Sequence, residues 1–216
     1  MFARPTAFLF NFFMASKLDI ANFALAEVAQ IRITDLLEDN EPARLCNLHI
    51  DQAIREVLRE GMWKSARSSA ELAEIGTAPD FGWLKSFQLP NDYVRMVSFN
   101  DVDPDNVREE LFELRGDQLF TDETSASIVY VRDLTIVDGD INAMGPLLTK
   151  ACVLNLAVKL SWPLQQSRVL QEVLLSRYEQ AIRKTKSADS REEFRPLVNR
   201  MGSSAWVSSR YTSTNG

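Results

Sequence analysis

Histidine is nearly absent from this chain. His49 is the only one among 216 residues. A Ser-His-Asp triad or a histidine-rich zinc centre is therefore not expected. Cysteine is also scarce: Cys46 and Cys152 stand far apart on helical-looking stretches, with no Cys-x-x-Cys pair. They read as small buried apolar residues of a reducing compartment, not as a disulfide or metal framework. The eight glycines are scattered, so no phosphate-cradling loop is present. Basic residues are outnumbered by acidic ones, 24 to 30. That balance argues against a dedicated nucleic-acid binder. With these parts missing, the expectation is a protein that is not an enzyme and carries no cofactor or metal.

What is present is ordinary globular material, 45% apolar and 25% charged. A chain of this length buries a core without disulfides or metals. The charge is uneven. The end, "FRPLVNRMGSSAWVSSRYTSTNG", holds arginines and no acid. The opening, "MFARPTAFLFNFFMASKLDI", holds an apolar run behind Arg4. That run resembles a short signal peptide but is too short to span a bilayer. Met14 starts a conventional opening, so residues 1–13 read as an upstream extension. If they are retained, so many aromatics in so short a run need a partner surface.

Apolar residues at helical spacing mark residues 16 to about 35, with Leu18, Phe23, Leu25, Val28 and Ile31 as a stripe. Ser16 and Asp19 form a start signal. A second helix begins near Pro42 and runs to about residue 60, striped by Leu45, Leu48, Ile54, Val57, Leu58 and Met62. Gly61 marks its end, and Trp63 caps the core between the two helices. Residues 64–80 are ambiguous. From about 82 to 132 the period shortens. "WLKSFQL", "YVRMVSF" and "ASIVYVR" read as strands, and "ELFELRGDQLFTDE" as a hairpin turning at Gly116-Asp117. One antiparallel sheet of four or five strands is expected. Helical period returns over residues 146–160, apolar on most faces. "SWP" is expected to break that helix at residues 161–163. A long helix then runs to about residue 187, with Leu170, Leu174, Tyr178, Ala181 and Ile182 inward. Arg168, Glu172, Arg177 and Glu179 are expected outside.

The predicted fold is α+β and mainly helical: a four-helix bundle body with an inserted small antiparallel β-sheet and an extended C-terminal tail. The segments are an N-terminal extension (1–15), a helical hairpin (16–80), the β insertion (81–137), a second helical pair (138–190) and the tail (191–216).

Candidate chemistry has a plainer reading at each place. Arg115-Gly116-Asp117 sits where a hairpin needs its turn. Asp133, Asp138 and Asp140 could approach one divalent cation, but the spacing of a calcium loop is missing. Turn and helix-start duty suits them better. His49, among Leu45, Leu48 and Ile54, reads as a core or edge histidine. The basic-then-acidic run at 182–193 reads as a solvated helix end. The tail carries the better signal: Phe194, Trp206 and Tyr211 interleaved with Arg195, Arg200 and Arg210 in a polar segment. Aromatics and arginines most often anchor interfaces. These six residues are therefore candidates for ordering on a partner.

The order of pieces resembles a known family. The opening "KLDIANFALAEVAQIRITDLLEDNEPARLCNLHIDQAIREVLREGMWKSA" is similar to the start of phage head-to-tail connector proteins. "FQLPNDYVRMVSF" resembles their strand-corner-strand, and "ELRGDQLFTDETSASIVYVRDLT" their hairpin and following strand. "LAVKLSWPLQQSRVLQEVLLSRYEQAIRKTKSADSREE" is similar to their closing helices. The likeness covers roughly residues 16–193. It points to the tail tubular protein A family, the adaptors of short-tailed phages. The resemblance implies a structural virion protein of the neck, assembled in the host cytoplasm. Twelve subunits would form a ring between the portal protein and the tail nozzle or tube. DNA would pass through the channel without sequence-specific binding, and no membrane would be involved. The tail would order on the portal or a neighbour. Three other readings stay open: a neck or tail-completion protein of another phage type, a DNA-binding regulator, although no helix is basic along one face, and a small enzyme using Asp133, Asp138 and Asp140 with a metal.

Overall fold

The computed structural model describes residues 16–76, 82–102, 111–136 and 140–191. Within them the chain is α+β and mainly helical, with four α-helices and two small antiparallel sheets.

Helix α1 spans Lys17–Glu27. Ser16 caps it reciprocally: its hydroxyl accepts from Asp19 N–H at 3.1 Å, and the Asp19 carboxylate accepts from Ser16 N–H at 3.0 Å. The helix stops well before the expected residue 35. The reason is a left-handed Ala29 (φ 54°). Gln30 N–H reaches back to Leu25 O, and Ala29 N–H to Ala26 O, the Schellman pattern. The side chain of Asn22, buried, then holds the returning chain by both backbone groups of Ile33, at 3.0 and 2.9 Å. Ile31, placed in the stripe by its spacing, is left 86% exposed.

Helix α2 spans Glu41–Glu60, capped by Asn40 with a proline in its first turn. Its buried stripe is Ala43, Cys46, Ile50, Ala53, Ile54, Val57 and Leu58. Leu48, expected in that stripe, points to solvent. Gly61 ends the helix for a reason other than a left-handed turn, since its backbone is extended (φ −150°). A Cβ there would stand 2.7 Å from the Trp63 ring. Trp63 is buried and donates to Val57 O at 2.7 Å, so the indole closes the end of α2.

The ambiguous stretch after Trp63 resolves into one 3₁₀ turn and strand β1 (Arg67–Glu71), inside the segment expected to be helical hairpin. Strands β2 (Lys85–Gln88), β3 (Tyr93–Phe99), β4 (Glu113–Arg115), β5 (Gln118–Thr121) and β6 (Ser127–Arg132) follow. They form two three-stranded sheets, β1-β6-β3 and β2-β5-β4, where a single sheet was expected. One sheet became two because the chain past β1 leaves β6 and pairs with β2, through the Glu74–Phe87 bridge. Strand β3 carries two register shifts against β6. Such bulges re-aim side chains. Val94 and Val97 pack on the helical core, while Met96 and Phe99 enter a second core between the sheets.

Helix α3 spans Pro146–Gln165. Residues 151–157 are all buried, so every face of its middle is covered. By length and apolarity α3 could cross a membrane, yet here α1, α2 and α4 pack on it. Pro163 does not break it. Only its own missing N–H is lost, one turn from the end, and the helix runs on until left-handed Gln166 (φ 49°). Ser167 then caps α4, accepting from Leu170 N–H at 3.3 Å. Helix α4 spans Arg168–Arg191. Its 24 residues make a rod of about 36 Å. Leu174 and Ile182 are buried, and Arg168, Glu172, Arg177 and Glu179 face outward.

Candidate interaction surfaces

The six tail residues Phe194, Arg195, Arg200, Trp206, Arg210 and Tyr211 lie outside the described residues.

On the surface that the described residues build, several acidic groups are engaged in structure. Asp133, buried where β6 leaves for the bundle, accepts from Thr135 N–H at 2.8 Å and from the Thr135 hydroxyl at 2.7 Å. Its other oxygen takes Arg55 Nε of α2 at 2.6 Å. Burial pushes this carboxyl up, but the Thr135 bonds and the Arg55 guanidinium outweigh it and hold it below the usual range. Asp140 pairs with Arg132 at 2.9 Å. Asp138 lies outside the described residues. Asp133 and Asp140 thus each have a cationic partner, and among the described residues no group of three or more metal-binding side chains comes together. Asp133 serves the turn, as its position suggested.

Arg115-Gly116-Asp117 is the turn of the β4–β5 hairpin. Gly116 has φ +62° at the first loop position, the pattern of a type II′ turn. Arg115 folds back onto Glu113 at 2.6 Å, and Asp117 O accepts from Leu89 N–H at 2.9 Å. Both ends of the tripeptide are thus tied into the module. His49 is half-buried on α2. Cys46 and Cys152 are fully buried. Burial raises their thiols to about 11 and about 12, so neither supplies thiolate near neutral pH.

One polar cluster was not anticipated. Asn155 stands in the apolar run of α3 and donates to Ala53 O at 2.9 Å and to Glu56 at 3.0 Å, both on α2. Lys159 Nζ joins the same carboxylate at 2.9 Å. Burial raises Glu56, but its bonds to Lys159 and Asn155 prevail and keep it ionised. The cluster fixes how α2 and α3 slide against each other. A lone asparagine within "ACVLNLAVKL" was the available signal.

The surface is unusually apolar in two places. Along the outside of α4, Val169 and Val173 lie one turn apart and exposed. Trp162, half-exposed at the end of α3, lies beneath the Arg168 guanidinium at 5.8 Å. The second place is an open groove of about 930 Å³ between α1 and the start of α3. Phe23, Ala26 and Glu27 line one wall, and Met144, Pro146 and Val153 the other. Arg177 of α4 reaches Glu27 through two bonds, 2.6 and 2.9 Å, at the groove's margin.

No protein-family model matches this chain, and no curated protein does.

Exposed aliphatic and aromatic residues on rigid helices supply contact area at low ordering cost, which is what protein–protein recognition uses.

Proposed function

We propose that this chain is a head-to-tail adaptor of a phage virion, a structural protein whose copies form a ring between portal and tail nozzle around a channel for DNA. The observation that carries this reading is α4. It is a rod of about 36 Å, packed on α3 along one side while Val169 and Val173 face out along the other. A closed ring requires that one face of each subunit fit a different face of the next. A stiff helix with apolar residues left outward supplies one such face. The sequence likeness to connector proteins supports the same reading, as does the order of helix pair, β module and helix pair. An acidic balance of 30 to 24 favours sliding DNA over bound DNA, because few phosphates can be neutralised. Phe194, Arg195, Arg200, Trp206, Arg210 and Tyr211 are proposed to anchor the tail on the portal.

Negative-stain electron microscopy of the chain co-expressed with the portal protein of its own genome tests this. The expected result is a portal ring with an added layer of matching symmetry. Bare portal rings beside soluble monomer would reject the adaptor. Removing residues 194–216 is expected to lower portal capture in a pull-down while leaving the circular dichroism spectrum of the body unchanged. Undiminished capture would remove the tail from the interface.

A further inference from the structure

The groove between α1 and α3 has a shape and composition that ask for an occupant. Its walls are stripes at helical spacing: Phe23, Ala26 and Glu27 on α1, and Pro146 and Val153 on α3. Phe23 keeps 43% of its surface exposed while Ile20 and Ala24 beside it are fully buried. The carboxylate at the margin, Glu27, is already matched by Arg177. Lys150 adds one cation to the α3 wall, yet most of the lining is apolar, so an occupant needs chiefly apolar bulk. The volume, about 930 Å³, suits several large side chains.

The chain itself offers such a segment next door. Phe8-Leu9-Phe10-Asn11-Phe12-Phe13 immediately precedes α1 and carries no charge. Four phenylalanines can bury about 150–250 Å² each. Ser16 has the extended backbone of an N-cap (φ −85°, ψ 167°), so the helical path ends at that residue. Phe23 lies seven residues up the helix, about 10 Å away. Eight residues back from Ser16 reach roughly 26–29 Å when extended. The segment thus spans the distance with slack. Burying it costs no ion desolvation, unlike the arginine-bearing stretch at 194–216. A short tether also gives it an effective concentration of order millimolar.

We propose that residues 8–13 fold back along α1 and fill this groove in the same subunit, completing the helical core from outside. The proposal concerns the chain whether or not it assembles into a ring.

The test compares the full chain with two groove variants, Ala26→Arg and Phe23→Glu. Both positions are exposed on α1, so neither substitution empties the core. Chymotrypsin cuts after phenylalanine, and cutting tracks the undocked population when docking is fast. Cleavage within residues 8–13 is expected to be about tenfold or more faster in Ala26→Arg than in the unaltered chain, with circular dichroism unchanged. Phe23→Glu serves as the second variant if the first loses helicity. A chain lacking residues 1–13 is expected to bind a fluorescent apolar dye at a site that Ala26→Arg abolishes. Equal cleavage rates in the unaltered chain and a folded groove variant would overturn the proposal. So would protection that appears only as dimers form with rising concentration, since the occupant would then be a second copy's segment.

Discussion

Along the middle of α3, seven consecutive residues are buried, and the helix is wrapped by α1, α2 and α4. Along β6 burial divides instead. Ile128 and Tyr130 enter the core between the sheets, while Val131 joins the helical core. The helical body therefore has one element enclosed on every side. The β module has strands shared between two cores, with bulged β3 feeding both. The lesson concerns how a projecting module is held. It is tied to the body by strands whose opposite faces belong to different cores, and by Asp133 clamped to Arg55 at the exit of β6. Such a connection should transmit load between body and module without a hinge.

Truncating each core is the strongest way to break this picture. Leu156→Ala in α3 is expected to cost about 3–5 kcal/mol, because the enclosed site cannot collapse around the lost methyls. Leu119→Ala, fully buried in the module, should cost about 2–3 kcal/mol, since small sheets have room to relax. Urea unfolding followed by both fluorescence and circular dichroism should show one coincident transition in each variant. A separate early transition in Leu119→Ala alone would mean that the module unfolds independently, and the shared strands would not couple the cores.

The clamp comes next in size. Asp133→Asn removes a charged acceptor from Arg55 and Thr135 and should cost about 1–3 kcal/mol at neutral pH. The carboxyl is held below its unfolded value of about 3.9. Its contribution is therefore present above about pH 4 and lost as the pH falls through the lower folded value. The gap between the two proteins, measured by urea midpoints across the acid range, should close from above as that happens. A gap that stays constant down to pH 2 would show that Asp133 acts by shape and not by charge.

The smallest effects lie at two left-handed residues, one in each region. Ala29→Gly, at the end of α1, should stabilise by about 0.5–1 kcal/mol by relieving the positive φ. Gly116→Ala, at the module's hairpin, should destabilise by about 1 kcal/mol for the converse reason. Thermal melts resolve both shifts. Effects of one sign at both sites would contradict the backbone assignment.

Much of this was readable from residues alone. The capping pair Ser16–Asp19, Pro42 in the first turn of α2, the strand "YVRMVSF" and the turn at Gly116 are local signals, and the backbone obeys them. Apolar content on most faces of residues 146–160 announced a buried helix. Other features depend on partners distant in sequence. Residues 29–35 continue a helical stripe by spacing, yet Asn22 and the Schellman turn pull them out of the helix. Pro163 looked like a break, but one missing N–H in the last turn is too small a loss to stop a helix packed on three others. The candidate surfaces divide the same way: the tail's aromatics and arginines are visible as composition, whereas the groove exists only where α1 and α3 lie side by side.

The sequence by itself determined most of the helix and strand stretches, the burial of the helix over residues 146–160 and the cap at Ser16, because these follow from periodicity and local hydrogen bonding. Only the tertiary structure decided that six strands make two sheets, that β3 and β6 serve two cores, and that Asn155 and Asp133 act as clamps. Those outcomes depend on which apolar face meets which, and on buried polar groups finding partners about a hundred residues away for Asn155 and 78 for Asp133.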